Sequence, residues 1–173
     1  MPTIGVALAI PEPWGTQLQD YRRALGDATA DLIPTHVTLV PPTEVVADGL
    51  TAVREHLERV ATKHAGFRLH LRGTGTFRPV SPVVFVTVAE GIGETEQLAE
   101  HLREGPLDQA LDFPYHPHVT VAHHLDEAAM ERAFEELASF EAVFDVTMFH
   151  LYVHDAADGW RRTDDFALQA TEG

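Results

Sequence analysis

Pro34-Thr35-His36-Val37-Thr38-Leu39-Val40 is echoed in the second half of the chain by Pro117-His118-Val119-Thr120-Val121-Ala122. Both stretches start at a proline-marked position and run on through β-branched and aliphatic residues, the composition of a strand. On a strand, residues i and i+2 share a face, so each copy presents an imidazole and a hydroxyl side by side while the intervening valine turns into the opposite layer. One such triplet on the wet face of an amphipathic strand is ordinary. Two, each with the same lead-in and the same aliphatic continuation, point to a duplicated site.

Reading outward from the two copies gives alternating strands and helices. Residues 3–10 form a small-apolar strand ended by Pro11. Trp14, Leu18, Tyr21 and Leu25 then recur at helical spacing before the stop at Gly26-Asp27. The first His-x-Thr strand, 35–40, is expected to close at Pro41-Pro42. From Val46, the residues Leu50, Val53, Leu57 and Val60 mark an amphipathic helix. Phe67, Leu69 and Leu71 alternate with Arg68, His70 and Arg72 in a half-wet strand that Gly73 and Gly75 punctuate. The unbroken apolar run 83–88 reads as a central strand covered on both faces. A helix introduced by Gly91 and Gly93 ends at Gly105-Pro106, the second His-x-Thr strand occupies 118–122, and Asp126 caps a helix carrying Met130, Ala133, Phe134 and Leu137. Two β segments, 144–153 and 160–168, joined by the Asp- and Gly-rich turn 155–159, complete the chain. The expectation is an α+β fold of two similar lobes, each with one His-x-Thr strand, making one domain over residues 1–173.

Composition narrows the chemistry. The 173 residues include 12 Lys and Arg against 27 Asp and Glu, for a net charge of −15. A general surface of that sign does not grip long nucleic acid, which is bound by neutralising phosphates with cationic side chains. With no cysteine, thiol nucleophiles, disulfides and Cys-ligated metals are excluded. The motif His-Glu-x-x-His is absent, and neither Gly73-Thr74-Gly75 nor Gly91-Ile92-Gly93 leads into the Gly-Lys-Ser/Thr ending of a phosphate-binding loop. No metal and no cofactor are therefore expected. The apolar run near the N-terminus is too short for a signal-peptide core, and no stretch is long enough to span a bilayer, so the expected location is cytoplasmic.

Two imidazoles and two hydroxyls converging on one point suit in-line displacement at a phosphodiester. One neutral imidazole accepts a proton from the attacking oxygen, and the other, protonated, gives one to the departing oxygen. The hydroxyls donate to the non-bridging oxygens. These motifs resemble the two His-x-Thr signatures of the 2H phosphoesterase superfamily, in its branch of RNA 2',5'-ligases and RNA 2',3'-cyclic phosphodiesterases. Arg72-Gly73-Thr74-Gly75-Thr76-Phe77-Arg78-Pro79 is similar to the stretch linking the lobes there, and Phe113-Pro114-Tyr115-His116 to the lead-in of the second motif.

The resemblance implies a bilobal fold, two pseudo-symmetric lobes of antiparallel sheet with outer helices around a central cleft, and metal-independent chemistry on 2',3'-cyclic phosphates or 2',5' linkages of RNA ends or small nucleotides. It implies His36 and His118 as the acid and base, and Thr38 and Thr120 as phosphate binders. Many members carry an arginine three residues after the second threonine. His123 stands there in this chain, followed by His124, and Arg78 is the cation that could supply the missing charge. Tyr115, and less so Phe77, offers a face on which a nucleobase could stack. Trp14 and Trp160 read as core or lobe-packing residues, and His56, His64, His70, His101, His150 and His154 as surface or boundary residues. Two other readings stay open at this level: a binding module for nucleotides or RNA ends without turnover, and a hydrolase of another small cyclic phosphoester such as an ADP-ribose cyclic phosphate. Pseudo-symmetry would complete the site within one chain, so a monomer is expected.

Overall fold

The computed structural model describes residues 1–170, so residues 171–173 of the expected domain lie outside the described residues. Eight strands form one antiparallel sheet: β1 (Thr3–Ala9), β2 (His36–Glu44), β3 (Phe67–Thr76), β4 (Val83–Glu90), β5 (His118–His123), β6 (Glu141–Val146), β7 (Met148–Asp155) and β8 (Gly159–Ala167). Their order is β6-β3-β4-β5-β2-β1-β7-β8, which places the two His-x-Thr strands side by side at the centre. Four helices accompany them: α1 (Trp14–Leu25), α2 (Leu50–Ala61), α3 (Ile92–Leu102) and α4 (Glu127–Glu136).

The two quartets of strands meet at a narrow seam. Between β2 and β5 the only registered pair is Val37 with Val119. The helices cross this seam: α1, which connects β1 to β2, packs on β5, and α3, which connects β4 to β5, packs on β2. Strand alternation explains how one seam serves both layers. Val37, Leu39, Val119 and Val121 are fully buried, whereas His36, Thr38, His118 and Thr120 on the opposite face keep partial exposure.

Several elements depart from the sequence expectation. Strand β2 does not stop at Pro41-Pro42 but continues to Glu44. The pairing with β1 shifts between Ile4 and Val6 and again between Val6 and Ala7, leaving both prolines without a registered partner. A bulge is where a strand tolerates residues that lack a backbone donor. Strand β3 likewise runs through Gly73 and Gly75, with a register shift between Leu71 and Thr74 in place of an ending. The apolar stretch 144–153 is two strands, not one: β6 pairs with β3 and β7 pairs with β1, so the chain passes between the quartets at Thr147. Val46 is exposed ahead of a 3-10 turn, and the helix proper begins at Leu50. His56 and His150 are buried; His56 Nε2 lies 3.0 Å from the Leu102 carbonyl, and His150 Nδ1 lies 2.7 Å from Asp165. The expected cap of α4 is present, with Asp126 accepting from the Ala129 N–H at 2.8 Å.

One buried ion pair shapes the approach to β2. Arg22 on α1 pairs with Asp27 at 3.3 Å, both side chains buried, and donates to the Ile33 carbonyl at 2.8 Å and the Thr35 hydroxyl at 3.3 Å. Burial pushes the Asp27 carboxyl up, but hydrogen bonds from Thr29 together with Arg22 outweigh it and hold the group below its ordinary range. Arg22 thereby ties the loop 27–35 to α1. Removing one member of a buried pair leaves the other charge unpaired and costs about 3–5 kcal/mol. Arg22→Met is accordingly expected to lower unfolding free energy by an amount in that range, read from the urea midpoint at constant slope.

Candidate active site

Both motif histidines are held in the same way. His36 Nδ1 lies 2.6 Å from the carbonyl of Pro34, and His118 Nδ1 lies 2.6 Å from the carbonyl of His116. A carbonyl only accepts, so in each ring Nδ1 carries the proton and Nε2 is left as the working nitrogen. The extended lead-in of each strand produces this contact, because the residue two before the histidine is on the same edge of the chain. The His36 Nε2 accepts from the Thr38 hydroxyl at 3.0 Å. The antiparallel direction at the Val37–Val119 pair sets each histidine across from the threonine of the other motif.

Burial pushes both imidazoles below the ordinary histidine value. For His36 the carbonyl of Pro34 works in the opposite direction and Arg22 adds to the lowering. For His118 the carbonyl of His116 opposes burial, while the His116 and His36 rings add to it. The His36 ring is thus within electrostatic reach of His118. Both are neutral at pH 7, ready as proton acceptors, and an anion between them would favour protonating one.

The two sides of the cleft are furnished differently. His118 is boxed by aromatic rings: Phe77 meets it edge-on at 5.1 Å, Phe85 lies at 5.1 Å and His116 at 5.7 Å, with Phe77 against Phe85 at 4.6 Å. Gly75 makes room for this box, since a Cβ there would come within 2.6 Å of the Phe85 ring. His36 and Thr38 instead open onto a cavity of about 130 Å³ that Pro34, Tyr152 and Trp160 share with the β1 backbone. The β7–β8 turn delivers Trp160 there. Its N–H donates to the Leu32 carbonyl at 2.9 Å, and the preceding Gly159, at φ +77°, lies so close that a Cβ would be 2.5 Å from the same oxygen.

The remaining expected residues fall elsewhere. Tyr115 donates its hydroxyl to the Thr38 carbonyl at 2.6 Å and has the Arg103 guanidinium 5.3 Å over its ring. Burial pushes its phenol well above the ordinary range. It therefore clamps the lead-in of the second motif to β2 rather than offering an open stacking face. Arg78 is engaged by the carboxylates of Glu127 at 2.7 Å and Glu131 at 3.2 Å on α4. His123 rests against His124 at 3.8 Å, and Arg22 of α1 and Asp27 just beyond that helix lie within electrostatic reach of it. Among the described residues, no group of three His, Cys, Asp or Glu is arranged to hold a metal ion. Sequence reasoning missed the place of Trp160, Tyr152 and Phe85; it follows only from their pairing, Tyr152 with Gly5 of β1, Phe85 with Gly75 of β3 and Thr120 of β5, and Trp160 with His154 of β7.

Comparison with known proteins agrees with this geometry. A protein of Bacillus licheniformis named as a candidate phosphoesterase is 32% identical over 162 residues, 89% of this chain and 94% of that protein. Another, of Bacillus cytotoxicus, is 30% identical over 139 residues, 79% of this chain and 80% of that one. The crystal structure of Escherichia coli LigT complexed with 3'-AMP superimposes with a TM-score of 0.69 at 24% identity, covering 97% of this chain and 99% of that one. The structure of TT0787 of Thermus thermophilus gives 0.70 at 23% identity, covering 99% and 100%. These likenesses establish the 2H phosphoesterase fold. The sequence model of the 2'-5' RNA ligase superfamily matches residues 10–158, from the end of β1 to the β7–β8 turn, and the chain belongs to that family.

Proposed function

We propose that this protein opens 2',3'-cyclic phosphates, or makes and breaks 2',5' phosphodiester bonds, on RNA ends or small nucleotides in the cytoplasm, without a metal. The observation that carries this reading is the matched orientation of His36 and His118. Each has Nδ1 tied back to a carbonyl two residues earlier, which leaves the Nε2 of each ring to serve as acid or base. In the hydrolytic direction, the neutral imidazole takes a proton from water as its oxygen bonds to phosphorus. The bond from phosphorus to the departing 2' or 3' oxygen breaks, and that oxygen receives the proton of the other, protonated imidazole. Thr38 and Thr120 donate to the non-bridging oxygens. LigT crystals that hold 3'-AMP, ATP or NADP+ support a nucleotide-sized substrate. The net charge of −15 favours short ends over long RNA. Both motifs lie on one chain, so the reading requires no second copy.

A panel of 2',3'-cyclic nucleotides, ADP-ribose cyclic phosphate and a 2',5'-linked dinucleotide, incubated with EDTA and followed by mass, tests the proposal. Turnover of at least one is expected, unaffected by EDTA. His36→Ala and His118→Ala are each expected to reduce kcat by about 10²–10⁴-fold with an unchanged unfolding curve. Saturable binding without any product, or wild-type rates in both variants, would sink the assignment.

The pH dependence has a defined sign. Because burial holds both imidazoles below their ordinary value, the singly protonated pair in the free protein is populated on the acid side of pH 6.5. The bell in kcat/KM should therefore be centred below pH 6.5. A bound phosphodiester anion favours the imidazolium, so the bell in kcat should lie at higher pH than that in kcat/KM. Coincident profiles centred above pH 7 would contradict the electrostatic account.

A further inference from the structure

The cleft is built from two related halves, yet its walls differ at corresponding positions. In the second half, Thr120 is paired across β4 with Phe85, which is paired in turn with Gly75 of β3. In the first half, Thr38 is paired across β1 with Ala7, which is paired with His150 of β7. A large ring thus fills the place beside Thr120, and a methyl group leaves it open beside Thr38. The open place is the cavity of about 130 Å³ next to His36.

Its walls are aromatic and apolar. His36, Thr38, Val40 and Pro42 all line it from β2, as the strand period of two requires. Gly5 and Ala7 provide a floor of minimal side chains, and Pro34, Tyr152 and Trp160 form the sides. Trp160 is half-buried, held by its backbone bond to Leu32, with its ring over Gly5. The Tyr115 ring is covered by Arg103 and the Phe77 ring is packed into the His118 box, so neither competes as a platform. Next to it, a wider recess shares Pro34, Tyr152 and Trp160 and reaches Arg162.

We infer that the Trp160–Tyr152–Pro34 slot beside His36 holds the nucleobase of the substrate, and that Ala7 and Trp160 determine selection for nucleoside cyclic phosphates over cyclic phosphates without a base. A flat heteroaromatic ring matches such a slot, because every base has a π face and base–aromatic stacking needs no particular sequence. The inference rests on the proposed phosphoesterase reading for its substrate class. It adds an orientation: the nucleoside lies on the His36 side, and the aromatic box around His118 excludes it from the other. The slot selects the base, while the two His-x-Thr motifs meet the phosphate.

Two measurements test this. The first compares kcat/KM for 2',3'-cyclic AMP with that for glycerol 1,2-cyclic phosphate, which has the same five-membered diester and no base. Trp160→Leu and Ala7→Phe, the latter copying the occupant of the second half, are each expected to reduce the nucleotide-to-glycerol ratio by about tenfold or more, mainly through KM for the nucleotide. A ratio within twofold of wild type in a folded Trp160→Leu variant overturns the slot. The second measurement does not need turnover. In a Trp14→Phe background Trp160 is the sole tryptophan, and titration with 3'-AMP is expected to quench its fluorescence saturably, whereas glycerol 2-phosphate does not. No difference between the two ligands overturns the inference even if catalysis is intact. If neither cyclic phosphate is turned over, the phosphoesterase reading fails and the titration alone decides the slot.

Discussion

The pairing of Val37 with Val119 is the contact on which this molecule turns. It is the sole registered pair between the two strand quartets, and it carries a layer on each side of the sheet. On one face the flanking valines and leucines are buried under α1 and α3, each helix crossing to the strand of the opposite quartet. On the other face stand the two imidazoles and the two hydroxyls. Burial on the helical side, worth about 1.5–3 kcal/mol for each fully covered aliphatic side chain, fixes the register of both strands. A slip of one residue would turn the imidazoles into the core and the valines into the cleft. The site is therefore held in position by the same apolar contacts that hold the halves together, with Tyr115 adding a hydrogen bond across the seam to the Thr38 carbonyl.

Electrostatics divides the molecule in a similar way. The surface is strongly acidic, and many of the arginines are engaged by carboxylates: Arg22 by Asp27, Arg23 by Asp20 and Asp31, Arg54 by Asp164, Arg78 by Glu127 and Glu131. Beside Trp160 the cleft is apolar, and at its centre it holds imidazoles that burial keeps neutral. Such a site responds to an anion by taking up a proton, which under the proposed function couples substrate binding to formation of the acid. Arg22 serves this arrangement from a distance, since it anchors the loop whose Pro34 carbonyl orients His36.

The strands around the two motifs, the amphipathic helices α2 and α4 and the α+β class were legible because hydrophobic period and capping act over a few neighbouring residues. Asp126 and the alternation of Phe67, Leu69 and Leu71 behave as their spacing indicates. The crossing at Thr147 was not legible. Residues on either side of it are equally apolar and β-prone, and which neighbour each strand pairs with is settled by partners far away in the chain. Pro41-Pro42 and Gly73 looked like endings for a related reason: a residue that breaks a ladder locally becomes a bulge when the strand beyond it still has a partner.

For the site, the local pattern determined that each motif presents His and Thr on one face and a valine on the other, because side-chain alternation is a property of the extended backbone itself. That pattern and the acidic composition already pointed to a compact phosphate chemistry and to the family. Tertiary structure alone decided which further residues share the cleft. It paired Arg78 with carboxylates of α4, set His123 near Asp27 and Arg22, occupied the ring of Tyr115, and brought Trp160 from the last hairpin to the side of His36. Those outcomes depend on strand order, on ion pairs between distant segments and on close backbone approaches such as that of Gly159 to Leu32, and none of these is encoded by the spacing of residues within any one segment.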